Sequence, residues 1–253
     1  MITKNQIQLL TSLQIKKFRN EHGLFIAEGE KISALLLNSS YKIHSLYATK
    51  EWLTGNKISN DLSTKIFETS NHELQKISGL SSPQEVIIVA EIPNHSLQFN
   101  DLNSALTLVF DEIKDPGNLG TIIRIADWFG IRHIICSPDS VDVFNPKVIQ
   151  ATMGSFCHVE VHYLPLEELF SWNHHLPVYG TAMDGKNLYE CDLEPNGLIV
   201  FGNESRGIKQ KYKSQIDQKI KIPSFNNNPS KAESLNISIA AGIVCSEFRR
   251  RGN

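Results

Sequence analysis

Apolar runs and helix-type spacing alternate along the first 95 residues. Brief apolar runs predict strands at residues 25–27, 43–48, 66–67 and 85–90. Helical spacing of the apolar residues predicts helices over residues 7–18, 30–38 and 71–80. A break follows at Pro93-Asn94-His95-Ser96, a composition typical of a linker. Residues 1–95 are therefore expected to form a small α/β domain.

The second part of the chain starts with a continuous apolar run at residues 105–110, typical of a strand covered on both faces. Further strands are predicted at residues 133–136, 159–163, 178–181, 198–201 and 219–222. Helices are predicted at residues 119–129 and 235–250. Because strands and helices alternate, residues 96–253 are expected to form a mostly parallel sheet with helices on both faces.

The composition is that of a globular protein, with 41% hydrophobic and 21% charged residues. No apolar run approaches the roughly 20 residues of a membrane span, and the first residues lack a signal-peptide core, so a cytoplasmic protein is expected. The four cysteines include no CxxC pair. This spacing excludes a zinc site of clustered cysteines and argues against a disulfide framework.

Basic residues are concentrated in three places, although the formal net charge is −2. That net charge argues against binding of nucleic acid by bulk charge, but local basic clusters suit contacts to phosphate groups. The clusters are Lys16, Lys17 and Arg19; Arg206, Lys209, Lys211, Lys213, Lys219 and Lys221; and Arg249-Arg250-Arg251. For each cluster, phosphate binding and simple exposure to solvent both remain open.

The first segment with candidate chemistry runs from Asp111 to Arg124, where a predicted strand ends in an acidic turn and a helix follows. In open α/β sheets, ligands collect where strand carboxyl ends meet helix amino ends. Asn118 and Arg124 are about 240° apart around a helix, so they cannot both point at one spot. Asn118 is therefore expected in the turn and Arg124 on the helix. Since the neighbours of Arg124 are apolar, its charge is expected to have a specific partner.

The second segment, residues 198–208, passes from a buried strand into a polar turn. Gly202 permits a close backbone approach or a positive φ angle. Glu204 is expected at the edge of the sheet, where Arg206 can pair with it. Neither GxGxxG nor GxxxxGK occurs, so the usual dinucleotide- and phosphate-binding signatures are missing. An ordinary strand–turn–helix junction would have a similar sequence.

The third segment, residues 222–243, joins a loop rich in Asn, Ser and Pro to the last helix. Ser234 or Asn236 is expected to cap that helix. A capped core helix explains much of the pattern. The polar Ser234, Asn236 and Ser238 within apolar sequence suggest an additional role.

The histidines form no familiar metal motif. His158 and His162 alternate as on one face of a strand but lack the HExxH pattern, which favours a structural role. His174 and His175 fall in a predicted loop before Pro177. The absence of a GxSxG elbow weakens a serine-hydrolase interpretation.

Taken together and in this order, the three segments resemble the SpoU (TrmH-like) branch of the SPOUT RNA methyltransferases. The matching sequences are Asn118-Leu-Gly-Thr-Ile-Ile-Arg124, Phe201-Gly-Asn-Glu-Ser-Arg-Gly207 and Ser234-Leu-Asn-Ile-Ser-Ile-Ala240. The resemblance covers residues 106–250, and residues 1–95 are less specifically similar to the ribosomal-protein-like substrate-binding domain of many members. Departures from the family pattern are Lys114, Ser224 and the long loop Asn226-Asn227-Asn228-Pro229.

The resemblance implies an α/β domain whose C-terminal segment threads a deep trefoil knot, and a homodimer with its active site at the subunit interface. It implies methyl transfer from S-adenosylmethionine to a ribose 2′-hydroxyl of rRNA or tRNA, with no metal and no membrane involved. The catalytic residues implied by the resemblance are Asn118, Arg124, Glu204, Ser234 and Asn236. The cofactor is expected to lie against Thr181, Gly202, Ile222 and Leu235.

The chemistry of these residues suits that reaction. A ribose hydroxyl is a poor nucleophile and must lose its proton as it attacks the methyl group. Arg124 is the key catalytic residue by resemblance, but a guanidinium stays protonated in proteins and is a poor base. We expect Arg124 to stabilise the developing alkoxide and to bind the adjacent phosphate, while a phosphate oxygen or water takes the proton. Asn118, Glu204 and Asn236 are expected to position the reactants.

Two alternatives are a non-catalytic RNA-binding module on the same scaffold and a nucleotide-dependent enzyme of the doubly wound type. The presence of all five candidate catalytic residues argues against the first alternative. The missing phosphate-binding glycines argue against the second. Cofactor preference separates the three hypotheses, because binding of NAD or ATP would exclude the methyltransferase.

Overall fold

The computed structural model describes residues 2–56, 58, 65–94, 96–173, 175–226, 228 and 233–251. The sequence-based expectations for His95, His174, Asn227 and Pro229 concern residues outside these ranges. Contacts within the chain define two units. One unit comprises Met1–Asn94 and Asp142–Cys157, and the other comprises His95–Val141 and His158–Asn253.

Helices and strands alternate through both units. The helices are α1 (Lys4–Ser12), α2 (Lys16–His22), α3 (Glu30–Leu37), α4 (Lys50–Gly55), α5 (Asn71–Ile77), α6 (Pro116–Trp128), α7 (Pro146–Thr152), α8 (Leu166–Trp172) and α9 (Ile237–Arg251). The strands are β1 (Leu24–Glu28), β2 (Ile43–Ala48), β3 (Lys65–Glu68), β4 (Val86–Glu91), β5 (Leu106–Phe110), β6 (His133–Cys136), β7 (Glu160–Tyr163), β8 (Val178–Asn187), β9 (Gly197–Phe201) and β10 (Gln218–Lys221). No helix in the described residues is long and apolar enough to cross a membrane.

The first unit is built on a mixed sheet with the strand order β1-β4-β2-β3. Strand β4 runs antiparallel to β1 and β2, whereas β2 and β3 are parallel. Leu10 of α1 and Leu13, which follows that helix, pack with Ile26 and Ile87 in one buried cluster. Phe25, which alternates to the other face of β1, contacts the ring of Phe144 with 4.7 Å between centroids. The segment that carries α7 thus covers that face of β1 within this unit.

The second unit contains a six-stranded sheet with the order β10-β8-β9-β5-β6-β7. All of its strand pairs are parallel, which confirms the predicted parallel α/β fold. Val109 and Val200 pack with Leu169 of α8 on one face. On the other face, Phe248 of α9 lies edge-on against Tyr179, with ring centroids 4.9 Å apart. The trefoil knot implied by the resemblance stays a prediction.

Helix capping moves the start of two helices away from the predicted residues. Helix α6 begins at Pro116 because Asp115 caps it, accepting a 2.7 Å hydrogen bond from the Asn118 backbone N–H. Asn118 therefore lies in the first turn of α6, and the expectation that it precedes the helix is wrong. Helix α9 begins at Ile237, directly after Asn236.

Candidate active site

Three of the five predicted catalytic residues, Asn118, Glu204 and Asn236, meet beyond the carboxyl ends of two neighbouring strands. Strands β5 and β9 pair in parallel, with Phe110 opposite Phe201. The acidic turn after β5 and the glycine-containing loop after β9 therefore emerge side by side at one edge of the sheet. This edge is the usual ligand-binding position in a parallel α/β sheet.

Asn118 connects the three motifs through its side-chain amide. Its Nδ2 donates to Oε1 of Glu204 at 3.2 Å, and its Oδ1 accepts from Nδ2 of Asn236 at 2.9 Å. Residues far apart in the sequence thus form one hydrogen-bonded row, Glu204–Asn118–Asn236. An amide can donate and accept at the same time, which makes Asn suitable for the central position.

Asn236 has a second role as the cap of α9. Its Oδ1 accepts from the backbone N–H of Ser238 at 2.9 Å and from the Ser238 hydroxyl at 2.6 Å. The same amide therefore fixes the start of the helix and holds Asn118. Ser234 is exposed, and it takes no part in the cap or in the row of amides among the described residues.

The loop after β9 is closed on itself by backbone hydrogen bonds between Asn203 and Gly207, with N···O distances of 2.8 and 3.2 Å. Gly202 is required at its start, because a Cβ there would lie 2.1 Å from the carbonyl carbon of Gly207. The Asn203 amide donates to the backbone carbonyl of Glu112 at 3.1 Å. The loop that carries Glu204 is therefore hydrogen-bonded to the turn after β5.

An acidic pair at the end of β5, which the sequence analysis did not single out, anchors this loop. Nη2 of Arg206 lies 2.8 Å from Oε1 of Glu112, so the expected pairing of Arg206 with Glu204 is wrong. Lys209 bridges the pair, with Nζ 3.2 Å from Asp111 and 3.4 Å from Glu112. The signal in the sequence was the position of two acidic residues directly after a buried strand, where a charge needs a partner.

The acidic and basic side chains that hold the loop after β9 stabilise one another in their charged forms. Burial alone would raise the pKa of the Glu112 carboxyl, but Lys114, Arg206 and Lys209 outweigh it and hold the pKa below its usual value. Burial likewise opposes the charged form of Lys209, but its contacts with Asp111 and Glu112 raise its pKa. Both the Glu112 carboxyl and the Lys209 ammonium are therefore charged at neutral pH.

Arg124 stands apart from the row of amides. It is exposed on α6, and within the described part of the chain its guanidinium has no hydrogen-bond or ion-pair partner. Helix geometry places it about 9 Å along the axis from Asn118 and about 240° around it. The specific partner expected from the sequence is thus not supplied by the described residues of the same chain.

Of the four predicted cofactor contacts, one lies within a strand, two follow strands and one precedes the last helix. Thr181 comes directly after the last β8–β9 pair and donates its hydroxyl to the Val200 carbonyl at 3.2 Å. Gly202 and Ile222 follow β9 and β10, and Leu235 is 50% exposed beside Asn236. Exposed apolar surface next to amide and backbone polar groups is the lining that an adenosyl group needs. These residues therefore fit S-adenosylmethionine.

All three basic clusters serve the fold in part, the second of them through the contacts of Arg206 and Lys209 with the acidic pair described above. Arg19 is 1% exposed and its Nη2 lies 2.6 Å from Oδ2 of Asp142, so this residue of the first cluster does not bind phosphate. At the end of α9, Arg250 and Arg251 pair with Glu247. Arg249 donates from Nε to the Phe129 carbonyl at 2.8 Å. Lys16 and Lys17 remain exposed.

Comparison with known proteins extends over both units. The model of the SpoU rRNA Methylase family matches residues 105–246, and the model of the MRM3-like substrate binding domain matches residues 4–88. RlmP of Bacillus subtilis, a 23S rRNA (guanosine(2553)-2′-O)-methyltransferase, is 29% identical over 97% of each chain. RlmB of Acinetobacter baylyi, a 23S rRNA (guanosine-2′-O-)-methyltransferase, is 30% identical over 73% of this chain and 77% of the relative.

Two solved structures are similar over nearly the whole chain. A Porphyromonas gingivalis protein described as a TrmH-family RNA methyltransferase is 36% identical, with a TM-score of 0.89 and full coverage of both chains. An AdoMet-bound rRNA methyltransferase from Sinorhizobium meliloti is 27% identical, with a TM-score of 0.86, over 99% of this chain and 96% of the other.

The fold and the three motifs thus define an RNA methyltransferase of the SPOUT type. Because the family model matches more than half of the sequence, the chain belongs to the SpoU rRNA methylase family. This membership confirms the predicted class, an RNA 2′-O-ribose methyltransferase that uses S-adenosylmethionine. It also decides against the non-catalytic RNA-binding module and the nucleotide-dependent enzyme.

Proposed function

We propose that this enzyme methylates the ribose 2′-hydroxyl of a guanosine in 23S rRNA. The observation that carries the proposal is the hydrogen-bonded row Glu204–Asn118–Asn236, which joins all three motifs at the ligand-binding edge of the sheet. The choice of RNA is supported by the RlmP and RlmB relatives, whose names specify guanosine in 23S rRNA. Since ribosomal RNA is the proposed substrate, we place the reaction in the cytoplasm.

Each site residue has a role that its chemistry allows. S-adenosylmethionine, when bound, supplies the methyl group on a sulfonium centre. Arg124 neutralises the developing alkoxide and holds the neighbouring phosphate, because its charge is permanent and its donors form a fork. The proton of the hydroxyl passes to a phosphate oxygen or to water. Glu204, Asn118 and Asn236 orient the reactants, and Ser234 is the fifth catalytic residue that the family resemblance implies.

The cofactor is held by Thr181, Gly202, Ile222 and Leu235, largely through backbone groups. Support comes from the positions of these residues, because Thr181 follows the β8–β9 pairing, Gly202 and Ile222 follow parallel strands, and Leu235 is next to the Asn236 cap. Replacing Gly202 by any other residue would disturb this region, because the Cβ would collide with the backbone of Gly207 and Ile208.

The active site is proposed to be shared between the two subunits of a homodimer. Arg124 and Asn118 lie on different sides of α6, so one chain does not present them to the same point. Exposed apolar side chains support an interface on the two packed helices, because Trp128 of α6 is 86% exposed and Ile239 of α9 is 55% exposed. In a dimer, Arg124 of one subunit would complete the site of the other.

Residues 1–95 are proposed to bind the RNA substrate, while residues 96–253 carry the methyl transfer. The match of residues 4–88 to a substrate-binding family model supports the first assignment. The exposed Lys16 and Lys17 offer phosphate contacts in this part of the chain.

The test is transfer of labelled methyl groups from S-adenosylmethionine to unmodified, transcribed 23S rRNA, with 16S rRNA and tRNA as comparison substrates. Nuclease digestion and nucleoside analysis should find the label in 2′-O-methylguanosine of 23S rRNA. Label in 2′-O-methyluridine would show that the target nucleotide is a uridine and not a guanosine. Label confined to tRNA would show that tRNA is the substrate in place of 23S rRNA. Label on a base would overturn the proposed reaction.

Substitution of Arg124 tests its assigned role. Arg124→Ala should lower the rate of methyl transfer by about a hundredfold or more, because the developing charge loses its cation. Binding of S-adenosylmethionine, measured by calorimetry, should be unchanged. Lys147→Ala, which removes an exposed positive charge from α7, should transfer methyl groups normally. Normal turnover of Arg124→Ala would contradict the role.

A further inference from the structure

Two histidines and a glutamate meet on one face of the paired strands β6 and β7. His133 begins β6 and lies opposite Glu160, which begins β7, and Ile135 lies opposite His162. Because side chains alternate along a strand, Glu160 and His162 point to the same face as His133. His133 and Glu160 are the first residues of these strands, at the end opposite the carboxyl edge used by the methyl-transfer site, and His162 lies two residues further along β7.

Their ligand-type atoms form a nearly equilateral triangle. Nδ1 of His133 is 3.4 Å from Nε2 of His162, and each of these nitrogens is 3.6 Å from Oε2 of Glu160. These separations exceed the 2.7–3.2 Å typical of good hydrogen bonds. They match the distance of about 3.4 Å between ligand atoms of a tetrahedral metal ion with bonds of about 2.0–2.1 Å.

The surroundings hold the three groups in this arrangement. Both histidine side chains are at least nine-tenths buried, whereas that of Glu160 is 24% exposed. Arg132 donates to Oε1 of Glu160 from Nη2 at 2.7 Å and from Nε at 3.2 Å. That pairing occupies one carboxylate oxygen and turns the other towards the imidazoles, as outer-shell partners of metal ligands do.

We propose that His133, Glu160 and His162 bind a divalent transition-metal ion of the zinc class. Two imidazole nitrogens and one carboxylate oxygen suit Zn²⁺ and its neighbours, whereas Ca²⁺ and Mg²⁺ need more oxygen ligands. The partly exposed side of Glu160 leaves room for entry of the ion and for water as a fourth ligand. The ion would join the edge strand β7 to β6.

This proposal replaces the sequence-based expectation that no metal is involved. In the sequence, His158 and His162 alternate as on one face of a strand, but His158 lies outside β7 and its Nδ1 contacts Oδ1 of Asp127 at 3.2 Å. The nearby partner of His162 is instead His133, which strand pairing brings from a distant part of the sequence. Spacing along one strand could not reveal it.

The test uses the full chain without a histidine tag, stripped with a chelator and titrated with Co²⁺. We expect one ion per chain, the intense visible absorption of four-coordinate Co²⁺, and displacement by Zn²⁺ with a rise in Tm. Glu160→Gln and His162→Ala should weaken binding about tenfold or more. His158→Ala is the matched control, because it removes a histidine just before the same strand, and it should bind as the unchanged chain does.

Two results would overturn the proposal. The first is that Glu160→Gln and His162→Ala bind Co²⁺ with the same affinity as the unchanged chain. The second is that the metal-free unchanged chain binds neither Co²⁺ nor Zn²⁺. Should His162→Ala fail to fold, the Co²⁺ spectrum of the unchanged chain still decides. Weak absorption typical of six-coordinate Co²⁺ would then count against the three-residue site.

Discussion

At the scale of single residues, Arg19 illustrates how burial changes the meaning of a charge. Its guanidinium donates to Asp142 from Nε and Nη2 and to the Leu13 carbonyl from Nη1, so each of its three nitrogens has an acceptor within the first unit. Arg19→Met should therefore destabilise the chain by about 3 kcal/mol, because Asp142 would keep its charge with little solvent. Urea unfolding followed by fluorescence measures the change.

The matched control is Lys16→Met in the same helix. Lys16 is exposed, so this variant should stay within about 0.5 kcal/mol of the unchanged chain. A similar small effect of both substitutions would show that the Arg19–Asp142 pair contributes little.

The candidate site residues could be predicted from sequence because the three motifs carry them in a recognisable order. Their partners could not be predicted, because partners are set by distances in space. Arg206 is two residues from Glu204 in the sequence, but it pairs with Glu112, which strand pairing brings alongside. In the sequence, Arg19 belongs to a basic cluster, because nothing in its neighbouring residues shows that its side chain is buried.

At the scale of elements, the last turn of α9 depends on Glu247. Its carboxylate, whose side chain is 6% exposed, accepts from Arg250 at 2.8 Å and from Arg251 at 2.6 Å. The hydrogen bond from Arg250, followed by that from Arg251, lowers the pKa of Glu247 to about 2, against the opposing effect of burial. Arg251 also donates to the carbonyls of Tyr189 and Cys191, which ties the end of the helix to the turn before β9.

This lowered pKa predicts a specific pH dependence. A carboxylate with a folded pKa below its unfolded value stabilises the fold above the unfolded pKa, and that contribution is lost as pH falls towards the folded pKa. Glu247→Gln should thus cost about 2 kcal/mol at pH 7, discounted because Arg250 is largely exposed. The difference in free energy of unfolding between Glu247→Gln and the unchanged chain, measured by urea unfolding, should become smaller as the pH is lowered from 5 to 3. The control is Glu168→Gln on α8, which replaces an exposed carboxyl and should change the free energy of unfolding at pH 7 by no more than about 0.5 kcal/mol.

The sequence predicted elements where a pattern repeats over enough residues. The strands of both sheets follow the apolar runs, and α9 follows its apolar spacing. Helices α4, α7 and α8, with only six or seven residues each, were not predicted because so short a segment barely completes two turns, whereas the equally short α5 lies within the helix predicted over residues 71–80. Helix α6 starts at Pro116 and not at residue 119, as the apolar spacing predicted, because Asp115 caps the helix and the proline after it favours the first helical position.

At the scale of the whole molecule, chain connectivity hides two features from sequence analysis. The segment Asp142–Cys157 follows β6 of the parallel sheet, but its contacts belong to the first unit. The His133, Glu160 and His162 cluster likewise combines residues of two strands. Both features depend on which segments pair in three dimensions, which local patterns do not specify.

The shared active site proposed for the dimer makes a prediction that no single-chain site would satisfy. Arg124→Ala and Asn236→Ala should each abolish methyl transfer as homodimers, since each lacks one half of every site. In a mixed dimer, the Arg124→Ala chain supplies intact Asn118, Glu204 and Asn236, and the Asn236→Ala chain supplies Arg124 to that same site. One site in each mixed dimer is then complete and the other lacks both residues.

Unfolding and refolding the two variants together should therefore restore about a quarter of the unchanged activity, because half of the dimers are mixed and each has one working site of two. Variants refolded separately and then combined just before the assay give the baseline. Trp128→Glu, which places a charge in the proposed interface, should produce monomers in sedimentation and prevent the recovery, whereas Met183→Glu, an exposed apolar position on β8, should not. Recovery that stays at the baseline in a proven mixed dimer would mean that each chain builds its site alone, with Arg124 reaching the substrate from its own helix.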